Sequence, residues 1–443
     1  MLFARNKPSP LAAIPLTRQD IEVLFSAVEF KQQLLTLIAQ ASQRIYLCAL
    51  YLQNDDAGQQ ILTALYQAKQ QNPQLDIKVF VDYHRALRGL IGHQKSATNR
   101  DGYLAFAKQY AQTIKVYGVP VKRKELFGVL HLKGFVIDDT VLYSGASVNN
   151  VYLQQEDKYR LDRYHLINSK SLAQSFVDYL DRLTLVAQLP LINQPELPTP
   201  VQLKWVIKQI ALALKQHYQY PNSGDIAELS VRPLVGCGAK ANQLNSTIRK
   251  LLRGSQHTIV MFTPYFNLPK MLLVEIKTAL AKGVAVTIVV GDKRANDFYI
   301  AESEPFSTIG VIPYIYEQVL RRFVTRFHTA IETGQLSIHV WHHHHHSFHL
   351  KGLVVDEQYH LLTGNNLNPR AWRLDLENGL LIHDPKQQLQ PMWQQELTNI
   401  LAHTQRISGA ADLQRIADYP TAPRKLLTKL RFSQITRLLQ RLL

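Results

Sequence analysis

One short pattern occurs twice in this chain, once in each half, and it constrains the fold more than any other feature. The first copy is HLKGFVID, residues 131–138, and the second is HLKGLVVD, residues 349–356. In each copy a His, a Lys and an Asp share an apolar, β-branched run, which is typical of a buried strand. Residues two apart on a strand share a face, so each His and Lys would point the same way. Two such strands brought together would present two imidazoles and two ammonium groups to one site.

A Gly and an Asn follow each copy at similar spacing. They are Gly145 and Asn149 in the first half, and Gly364 and Asn368 in the second. One such pattern alone is a weak signal, because short motifs recur by chance. Two copies with matching downstream residues are a much stronger signal. The alternative, a strand that merely ends in surface charge, is therefore the weaker interpretation.

The two halves also match in the order of their predicted elements. Residues 44–52 (RIYLCALYL) and 258–266 (TIVMFTPYF) both have the composition of a buried strand. A predicted helix and a second strand follow each of them, at 76–82 and at 284–290. Strands that alternate with helices indicate an α/β fold. We expect two mixed-sheet α/β halves, related by a pseudo-twofold axis, with the active site between them.

Four segments are predicted along the chain. The boundary between the halves lies in 189–200, which holds four prolines and is typical of a linker. Residues 201–218 then form a predicted amphipathic helix, with Trp205, Ile210 and Leu214 among its apolar positions, and we expect it to pack on the protein. The predicted segments are a first half (1–190), a linker with that helix (191–220), a second half (221–410) and a basic amphipathic tail (411–443).

The charge balance points to a polyanionic partner. The chain has 50 Lys and Arg against 34 Asp and Glu, a net charge of +16, which suits an anionic membrane surface or nucleic acid without choosing between them. Its two cysteines, Cys48 and Cys237, are typical of small core residues. The apolar runs are too short for a spanning helix, and the start of the chain makes a poor signal peptide. We expect a cytoplasmic protein held peripherally on the inner face of the cell membrane.

The repeated residues provide what a reaction at a phosphate ester needs. A neutral imidazole is a competent nucleophile toward phosphorus, and a second His can protonate the leaving group and later deprotonate the acceptor. We expect His131 and His349 to form this pair, and the residues leave open which one is the nucleophile. Lysines and amides would stabilise the phosphate oxygens without a metal or other cofactor. These candidates are Lys133, Lys351, Asn149 and Asn368.

Carboxylates in the repeat divide into two predicted roles. A catalytic His usually needs an acid that fixes its tautomer. Aligning RLDRYHLI (160–167) with DLENGLLI (375–382) pairs Asp162 with Glu377, and these are our candidates for that role. Strand alternation turns Asp138 and Asp356 away from the His–Lys face, so we expect them, with Gly145 and Gly364, to be structural.

The paired motifs with their trailing Gly and Asn resemble the phospholipase D superfamily across both halves. The resemblance implies that His131 and His349 act as nucleophile and general acid/base, and analogy favours His131 as the nucleophile. Finer stretches, ALYLQNDD (49–56), VLHLKGFVIDDTVLYSGAS (129–147), TPYFNLP (263–269), GDKRANDFYI (291–300), TGNNLNPRAWRLDLEN (363–378) and IADYP (416–420), are similar to the branch that acts on CDP-diacylglycerol and L-serine. That resemblance implies that a phosphatidyl group moves to a His, CMP leaves, and the serine hydroxyl attacks.

Substrate recognition is the least constrained expectation. Serine is a zwitterion, so its site needs charges of both signs, and a charged turn follows the strand predicted at 284–290. Ordinary solvated turns have the same composition, and that alternative stays open. The candidates that could contact serine or the cytidine diphosphate are Tyr265, Asn267, Asp292, Lys293, Arg294, Asn296 and Asp297.

The tail has the pattern of a helix that binds a membrane surface. Residues 419–443 contain six basic residues and no acids, with apolar residues at helical spacing. A helix packed on the core with a solvated basic face is the alternative. The residues expected at the membrane are Arg424, Lys425, Lys429, Phe432, Arg437, Leu438, Arg441 and Leu442.

Other functions remain as alternatives. A cardiolipin synthase-like phosphatidyltransferase or a phospholipase would use the same His–Lys residues, and so would a nuclease. A non-catalytic module that binds nucleic acid is weaker, because both motifs are complete; we expect nucleic acid to bind only non-specifically. The run His342–His346 is predicted to be a solvated stretch rather than a metal site, since specific sites need fixed geometry.

Overall fold

The computed structural model describes residues 13–89, 96–221 and 228–432. Its strands are β1 (Ile14–Pro15), β2 (Ile21–Leu24), β3 (Arg44–Cys48), β4 (Asp76–Asp82), β5 (Lys115–Val119), β6 (Phe135–Ile137), β7 (Thr140–Ser144), β8 (Arg160–Leu161), β9 (Tyr164–Asn168), β10 (Ser230–Cys237), β11 (Thr258–Thr263), β12 (Ala285–Gly291), β13 (Leu336–Trp341), β14 (Ser347–Phe348), β15 (Gly352–Val355), β16 (Tyr359–Thr363), β17 (Leu376–His383) and β18 (Thr404–Ile407). Its α-helices are α1 (Ala27–Gln40), α2 (Asp56–Gln71), α3 (Tyr83–Leu87), α4 (Asn99–Gln109), α5 (Lys170–Ala187), α6 (Pro200–Ala213), α7 (Gln243–Gly254), α8 (Lys270–Ala281), α9 (Ile312–Arg326), α10 (His328–Glu332), α11 (Pro369–Arg373), α12 (Gln390–Leu401) and α13 (Thr421–Phe432).

Two mixed sheets repeat the same strand order. The first runs β2-β9-β7-β6-β3-β4-β5, and the second runs β1-β10-β17-β16-β15-β11-β12-β13-β18. Strands β3, β4 and β5 are mutually parallel, as are β11, β12 and β13, while the remaining neighbours are antiparallel. Each strand of the first sheet thus has a counterpart in the second. The predicted α/β fold of two mixed-sheet halves is confirmed.

Local chemistry explains where the elements begin and which faces they bury. Ser26 and Asp55 cap α1 and α2 by accepting hydrogen bonds from the backbone N–H groups of Glu29 and Gly58. The central strands are apolar on both faces, since helices pack on each side of the sheets. One apolar cluster contains residues of both halves, including Leu132 from the first and Leu376 from the second. The two halves therefore share a core.

The predicted linker lies against the first sheet. Its backbone pairs with β5, because the Gly118 N–H donates to the Pro190 carbonyl and the Ile192 N–H donates to the Val116 carbonyl. Helix α6 follows and packs on α5. Ile210 and Leu214 are buried as predicted, whereas Trp205 is 47% exposed. At the other end, β1 crosses over and pairs with β10 of the second sheet.

The His–Lys pairs do not lie on strands, which corrects one expectation. Both lie in extended segments that come just before β6 and β15. A glycine with positive φ follows each lysine, Gly134 at φ +113° and Gly352 at φ +131°. Such φ values are strained for any residue with a side chain. They bend the backbone where the strands start, since Gly134 directly precedes β6 and Gly352 is the first residue of β15. A Cβ on Gly352 would also lie 2.4 Å from the Leu361 carbonyl oxygen.

Candidate active site

Each His–Lys segment pairs with a strand of the opposite half. The His131 N–H donates to the Leu376 carbonyl over 2.9 Å, and the Leu376 N–H donates to the Val129 carbonyl over 3.0 Å. In the second half, β14 pairs in parallel with β8, and the His349 N–H donates to the Leu161 carbonyl over 2.9 Å. These two ladders fix the backbone of both histidines at the junction between the halves.

The carboxylate partner of each histidine comes from the other half. His131 Nδ1 lies 2.9 Å from Glu377 Oε2, and His349 Nδ1 lies 2.8 Å from Asp162 Oδ2. The arrangement follows from the ladders, because Glu377 comes directly after Leu376 and Asp162 directly after Leu161. Glu377 and Asp162 are both buried. The two acids predicted from the alignment thus contact the two histidines. The sequence did not indicate that each histidine would take its carboxylate from the opposite half.

Burial sets the protonation of the two imidazoles. Desolvation, followed by the nearby Lys133 ammonium, lowers the pKa of His131 well below its usual value. Desolvation, followed by Lys351, does the same to the pKa of His349. Without a bound phosphate, both imidazoles are therefore neutral at neutral pH. His131 directs Nδ1 at Glu377 and has Nε2 left to react, whereas Nε2 of His349 faces Lys351 and Tyr152.

The two lysines are buried and have lowered pKa values. Desolvation lowers the pKa of Lys133 to about 8 and that of Lys351 to about 7, against the pull of the nearby carboxylates. Lys351 Nζ lies 2.8 Å from His349 Nε2 and 3.4 Å from Asp162 Oδ2. Lys133 Nζ lies 3.4 Å from Ser147 Oγ. A phosphate bound here would supply the negative charge that two buried ammonium groups need.

The trailing asparagines are oriented by the backbone. The Asn149 side-chain oxygen accepts a hydrogen bond from the Tyr152 N–H, and the Asn368 oxygen accepts one from the Ala371 N–H at the start of α11, each over 2.9 Å. Both side chains are buried. With its oxygen fixed, each amide has its NH2 group as the donor that could reach a phosphate oxygen.

The trailing glycines leave room for charged side chains of the site. A Cβ on Gly145 would lie 2.8 Å from the Asp162 carboxylate, and one on Gly364 would lie 2.8 Å from Lys133 Cγ. Real Cβ atoms do not approach other atoms this closely. Gly145 therefore leaves room for Asp162, the partner of His349, and Gly364 leaves room for Lys133. This is a structural reason for a glycine to recur at this place in both halves.

Asp138 and Asp356 lie at the far ends of their strands, away from the histidines. The Asp138 carboxylate accepts hydrogen bonds from the backbone N–H groups of 42–44, and Asp356 accepts from those of 256–258. Each carboxylate thereby ties the turn after its strand to the start of the neighbouring antiparallel strand, β3 for Asp138 and β11 for Asp356. Both residues have positive φ, at 50° and 52°.

The candidate substrate residues divide between two places. Asp292, Lys293 and Arg294 line a cavity of about 490 Å³, together with Glu317 and Tyr419. Lys293 forms an ion pair with Glu317 over 2.9 Å, and Arg294 with Asp292 over 2.9 Å. Two further candidates in this region are buried, Asn267 and Asn296.

Asp297 and Tyr265 lie instead in a polar chain that leads to His349. Tyr265 Oη donates to Asp297 over 2.9 Å, and Asp297 forms an ion pair with Arg160 over 2.7 Å. The Arg160 guanidinium lies 4.4 Å from the centre of the Tyr152 ring, and Tyr152 Oη lies 3.0 Å from His349 Nε2. Sequence reasoning missed Tyr152 and Arg160. The only signal for Arg160 was its place two residues before Asp162.

The histidine run is not simply solvated, which corrects another expectation. The His346 ring is buried and stacks on Tyr159 with centroids 4.0 Å apart. His343 Nδ1 lies 2.8 Å from Tyr159 Oη, and the His343 ring stacks on His403 at 3.7 Å. Tyr159 belongs to the first half, so the run helps to hold the halves together. Among the described residues, no group of three or more His, Cys, Asp and Glu is arranged to hold a metal ion.

The described part of the tail is a packed helix with an exposed basic face. Leu427 of α13 is buried in a small cluster with Tyr314 and Tyr419. The basic residues Arg424, Lys425 and Lys429 are exposed. The side chain of Phe432, together with Arg437, Leu438, Arg441 and Leu442, lies outside the described residues. Within the described ranges, none of the helices combines the length and the apolar character needed to cross a bilayer.

Comparison with known proteins agrees with this geometry. A family model described as "Cardiolipin synthase, PLD-like domain" matches residues 34–184 and 248–400. The chain is 46% identical to the CDP-diacylglycerol–serine O-phosphatidyltransferase PssA of Escherichia coli K12, with 100% of this chain and 99% of that protein covered. It is 47% identical to the enzyme of the same name from Haemophilus influenzae Rd, with 96% and 95% covered.

A solved structure extends the similarity to the whole fold. The crystal structure of phosphatidylserine synthase from Haemophilus influenzae Rd KW20 matches with a TM-score of 0.94 at 44% identity, and 98% of each chain is covered. Both sequence relatives and this structure are matched over nearly their full length. The chain belongs to the phosphatidylserine synthase family of phospholipase D-like proteins.

Proposed function

We propose that this protein is a CDP-diacylglycerol–serine O-phosphatidyltransferase, which makes phosphatidylserine and CMP through a phosphatidyl-histidine intermediate. The observation that carries the proposal is the pair of buried histidines at one junction, each with a carboxylate from the opposite half. Full-length similarity to enzymes of that name supports the choice of substrates.

In the first step His131 attacks the phosphorus of the phosphatidyl group. Glu377 holds the Nδ1 proton, so the lone pair on Nε2 is available. A bond forms between Nε2 and phosphorus, and the bond from phosphorus to the CMP oxygen breaks. His349 donates a proton from Nε2 to the departing CMP, so it has to enter this step as the imidazolium, which the negative charge of the bound substrate would favour. The product of this step is phosphatidyl-His131.

In the second step serine takes the place of CMP. His349 accepts the serine hydroxyl proton while the serine oxygen bonds to phosphorus and the phosphorus–His131 bond breaks. Asp162 stabilises the imidazolium that forms on His349. Lys133 and Lys351, with Asn149 and Asn368, stabilise the negative charge on the phosphate oxygens. The charged residues of the 490 Å³ cavity and of the Arg160–Asp297 chain are candidates for contacts with serine and the cytidine diphosphate.

One assay tests the function. Purified protein receives CDP-diacylglycerol and labelled serine without added metal, with water-only and DNA controls in parallel. We expect CMP release that depends on serine, and labelled phosphatidylserine as the product. Nuclease activity, or equal CMP release without serine, would contradict the proposal. Phosphatidylglycerol offered in place of serine tests the cardiolipin synthase-like alternative that the description of the family model suggests.

The two histidine variants test the mechanism. His131→Ala and His349→Ala should each reduce turnover by about 10⁴-fold or more, since each removes one member of a unit that acts together. Mapping of the trapped phosphatidyl adduct at neutral or alkaline pH, where the acid-labile bond between phosphorus and histidine survives, should place it on His131. An adduct on His349 would reverse the assignment of the two roles.

Membrane association is the further part of the proposal. Two features support a peripheral position on the inner face of the cell membrane, the +16 net charge and the exposed cations of α13.

Removal of 433–443 tests the tail and keeps the packed Leu427, whereas removal from Pro423 onward would also disturb the fold. Vesicle binding that is unchanged by this truncation and by salt would count against the tail. Binding of nucleic acid should be only non-specific, and it should weaken steeply as the salt concentration rises.

A further inference from the structure

The loop at 122–127 lies just before His131 and combines exposed cations with exposed apolar side chains. We propose that this loop is a docking surface for an anionic lipid bilayer. The inference rests on the proposed function, because an enzyme whose substrate is a membrane lipid needs the bilayer close to its nucleophile. It assigns that contact to a segment separate from the C-terminal tail.

Two adjacent apolar side chains project from this loop into solvent. Leu126 is 59% exposed and Phe127 is 54% exposed. Single exposed apolar residues are ordinary on protein surfaces, whereas these two are adjacent in the chain and follow a run of cations. Leucine and phenylalanine are also residue types that interfacial membrane segments place in the lipid.

Three cations precede the apolar pair in the loop. Lys122, Arg123 and Lys124 are all exposed. Glu125 is the one acid between 115 and 137, and its charge is neutralised by a hydrogen-bonded ion pair with Arg88. Each cation near an anionic bilayer surface contributes about 1 kcal/mol of attraction. The charge of the loop is thus complementary to a bilayer that carries acidic lipids.

Contacts with the second half hold the loop in place. Residues Glu125–Phe127 form one 3₁₀ turn, and the Arg370 guanidinium donates to the Glu125 carbonyl over 2.8 Å. Gly128 has φ +140°, and a Cβ there would lie 2.3 Å from the Leu374 carbonyl oxygen. The apolar pair is therefore presented by a braced turn.

The position of the loop suits delivery of lipid to the nucleophile. Phe127 is four residues from His131, a separation of at most about 14 Å along an extended chain. The Val129 N–H donates to the side chain of Asp375, two residues before Glu377. The extended segment between the loop and His131 is therefore also fixed. A lipid whose tails lie beside Phe127 would have its phosphate within reach of the site.

Vesicle flotation tests the surface directly. The variant Leu126→Glu/Phe127→Glu should need at least about tenfold more lipid for half-maximal flotation with phosphatidylcholine–phosphatidylglycerol vesicles. Two apolar side chains that would insert into the bilayer are lost, and two negative charges are added to the loop. The matched control is Phe25→Glu/Val28→Glu, an exposed apolar pair of 41% and 37% that lies beside Glu22 and Glu29. The control should stay within about twofold of the unmodified protein.

A charge variant separates the bilayer from other partners and guards against misfolding. Lys122→Gln/Lys124→Gln should weaken flotation with the mixed vesicles and leave the weak binding to pure phosphatidylcholine unchanged. Loop variants that float like the unmodified protein would overturn the inference. Loop variants that lose DNA binding but still float with the vesicles would also overturn the inference, and they would identify the loop as a nucleic-acid contact. The proposed function fails on a different result, the absence of serine-dependent CMP release by the unmodified protein in detergent.

Discussion

At the scale of single residues, the chemistry depends on which imidazole nitrogen carries the proton. Glu377 and Asp162 each lie within 3 Å of a histidine Nδ1, so Nε2 is the reactive nitrogen of each ring, a nucleophile in His131 and a proton carrier in His349. The sequence indicated both acids, because they align between the halves. It could not indicate which histidine each one contacts, because that depends on how the halves dock. Tyr152 and Arg160 were missed for the same reason, since their partners are distant in the chain.

Replacing an orienting acid should reduce turnover without removing the site. We expect Glu377→Gln to lower kcat by about a hundredfold or more, since an amide can hold the imidazole in the wrong tautomer. The control is Glu228→Gln, which alters a carboxylate at the surface that is paired with Lys386. A variant with normal kcat would show that Glu377 only packs against the ring.

The lysines predict how activity depends on pH. Lys351 and Lys133 have pKa values of about 7 and about 8, so both lose their positive charge as the pH rises through this range. Since the charged forms bind phosphate oxygens, kcat/KM for CDP-diacylglycerol should fall on the alkaline side of neutrality. Lys351→Arg should move that limb to higher pH, because a guanidinium stays protonated. A rate profile that stays flat well above these values would contradict the assignment.

At the scale of elements, the glycine after each lysine decides the geometry. The pattern predicted strands that include the His–Lys pairs, whereas β6 begins four residues after His131 and β15 three residues after His349, where Gly134 and Gly352 bend the backbone at positive φ. The periodicity of an apolar run carries no information about such a bend. A glycine inside the run was the available signal.

The aspartates that recur at the ends of these strands make a prediction about stability. Asp138 accepts three backbone hydrogen bonds from 42–44, two of them at exposed residues and one at half-buried Arg44, and Asp138→Ala removes their acceptor. We expect a loss of about 1–3 kcal/mol of unfolding free energy, measured by chemical denaturation. Asp139→Ala, at the next position with an exposed ion pair to Arg44, is the control and should cost less. Equal losses would indicate a general effect of the turn.

At the scale of the whole molecule, the two halves share one core and one site. Leu132 and Leu376 belong to a single apolar cluster that contains residues of both sheets, and the linker pairs with β5. Fold class and duplication were predictable, because each half repeats its own order of strands and helices. The crossing of β1 to the second sheet was not, since two residues carry too little pattern.

The shared core predicts one unfolding transition. Calorimetry should show a single cooperative transition for the full chain, because neither half buries this cluster alone. Leu376→Ala should lower the unfolding free energy by about 2–5 kcal/mol and also reduce kcat, since Leu376 fixes the strand that positions Glu377. Two resolved transitions would show that the halves are independent domains.

The exchange of acids between halves has a consequence for the origin of the chain. A primitive protein with a single repeat would hold a histidine whose carboxylate belonged to another copy of itself, so it could react only after self-association. Its activity would have risen with the square of its concentration when dilute. Joining two repeats in one polypeptide would remove that dependence, and it would also leave the two copies free to diverge.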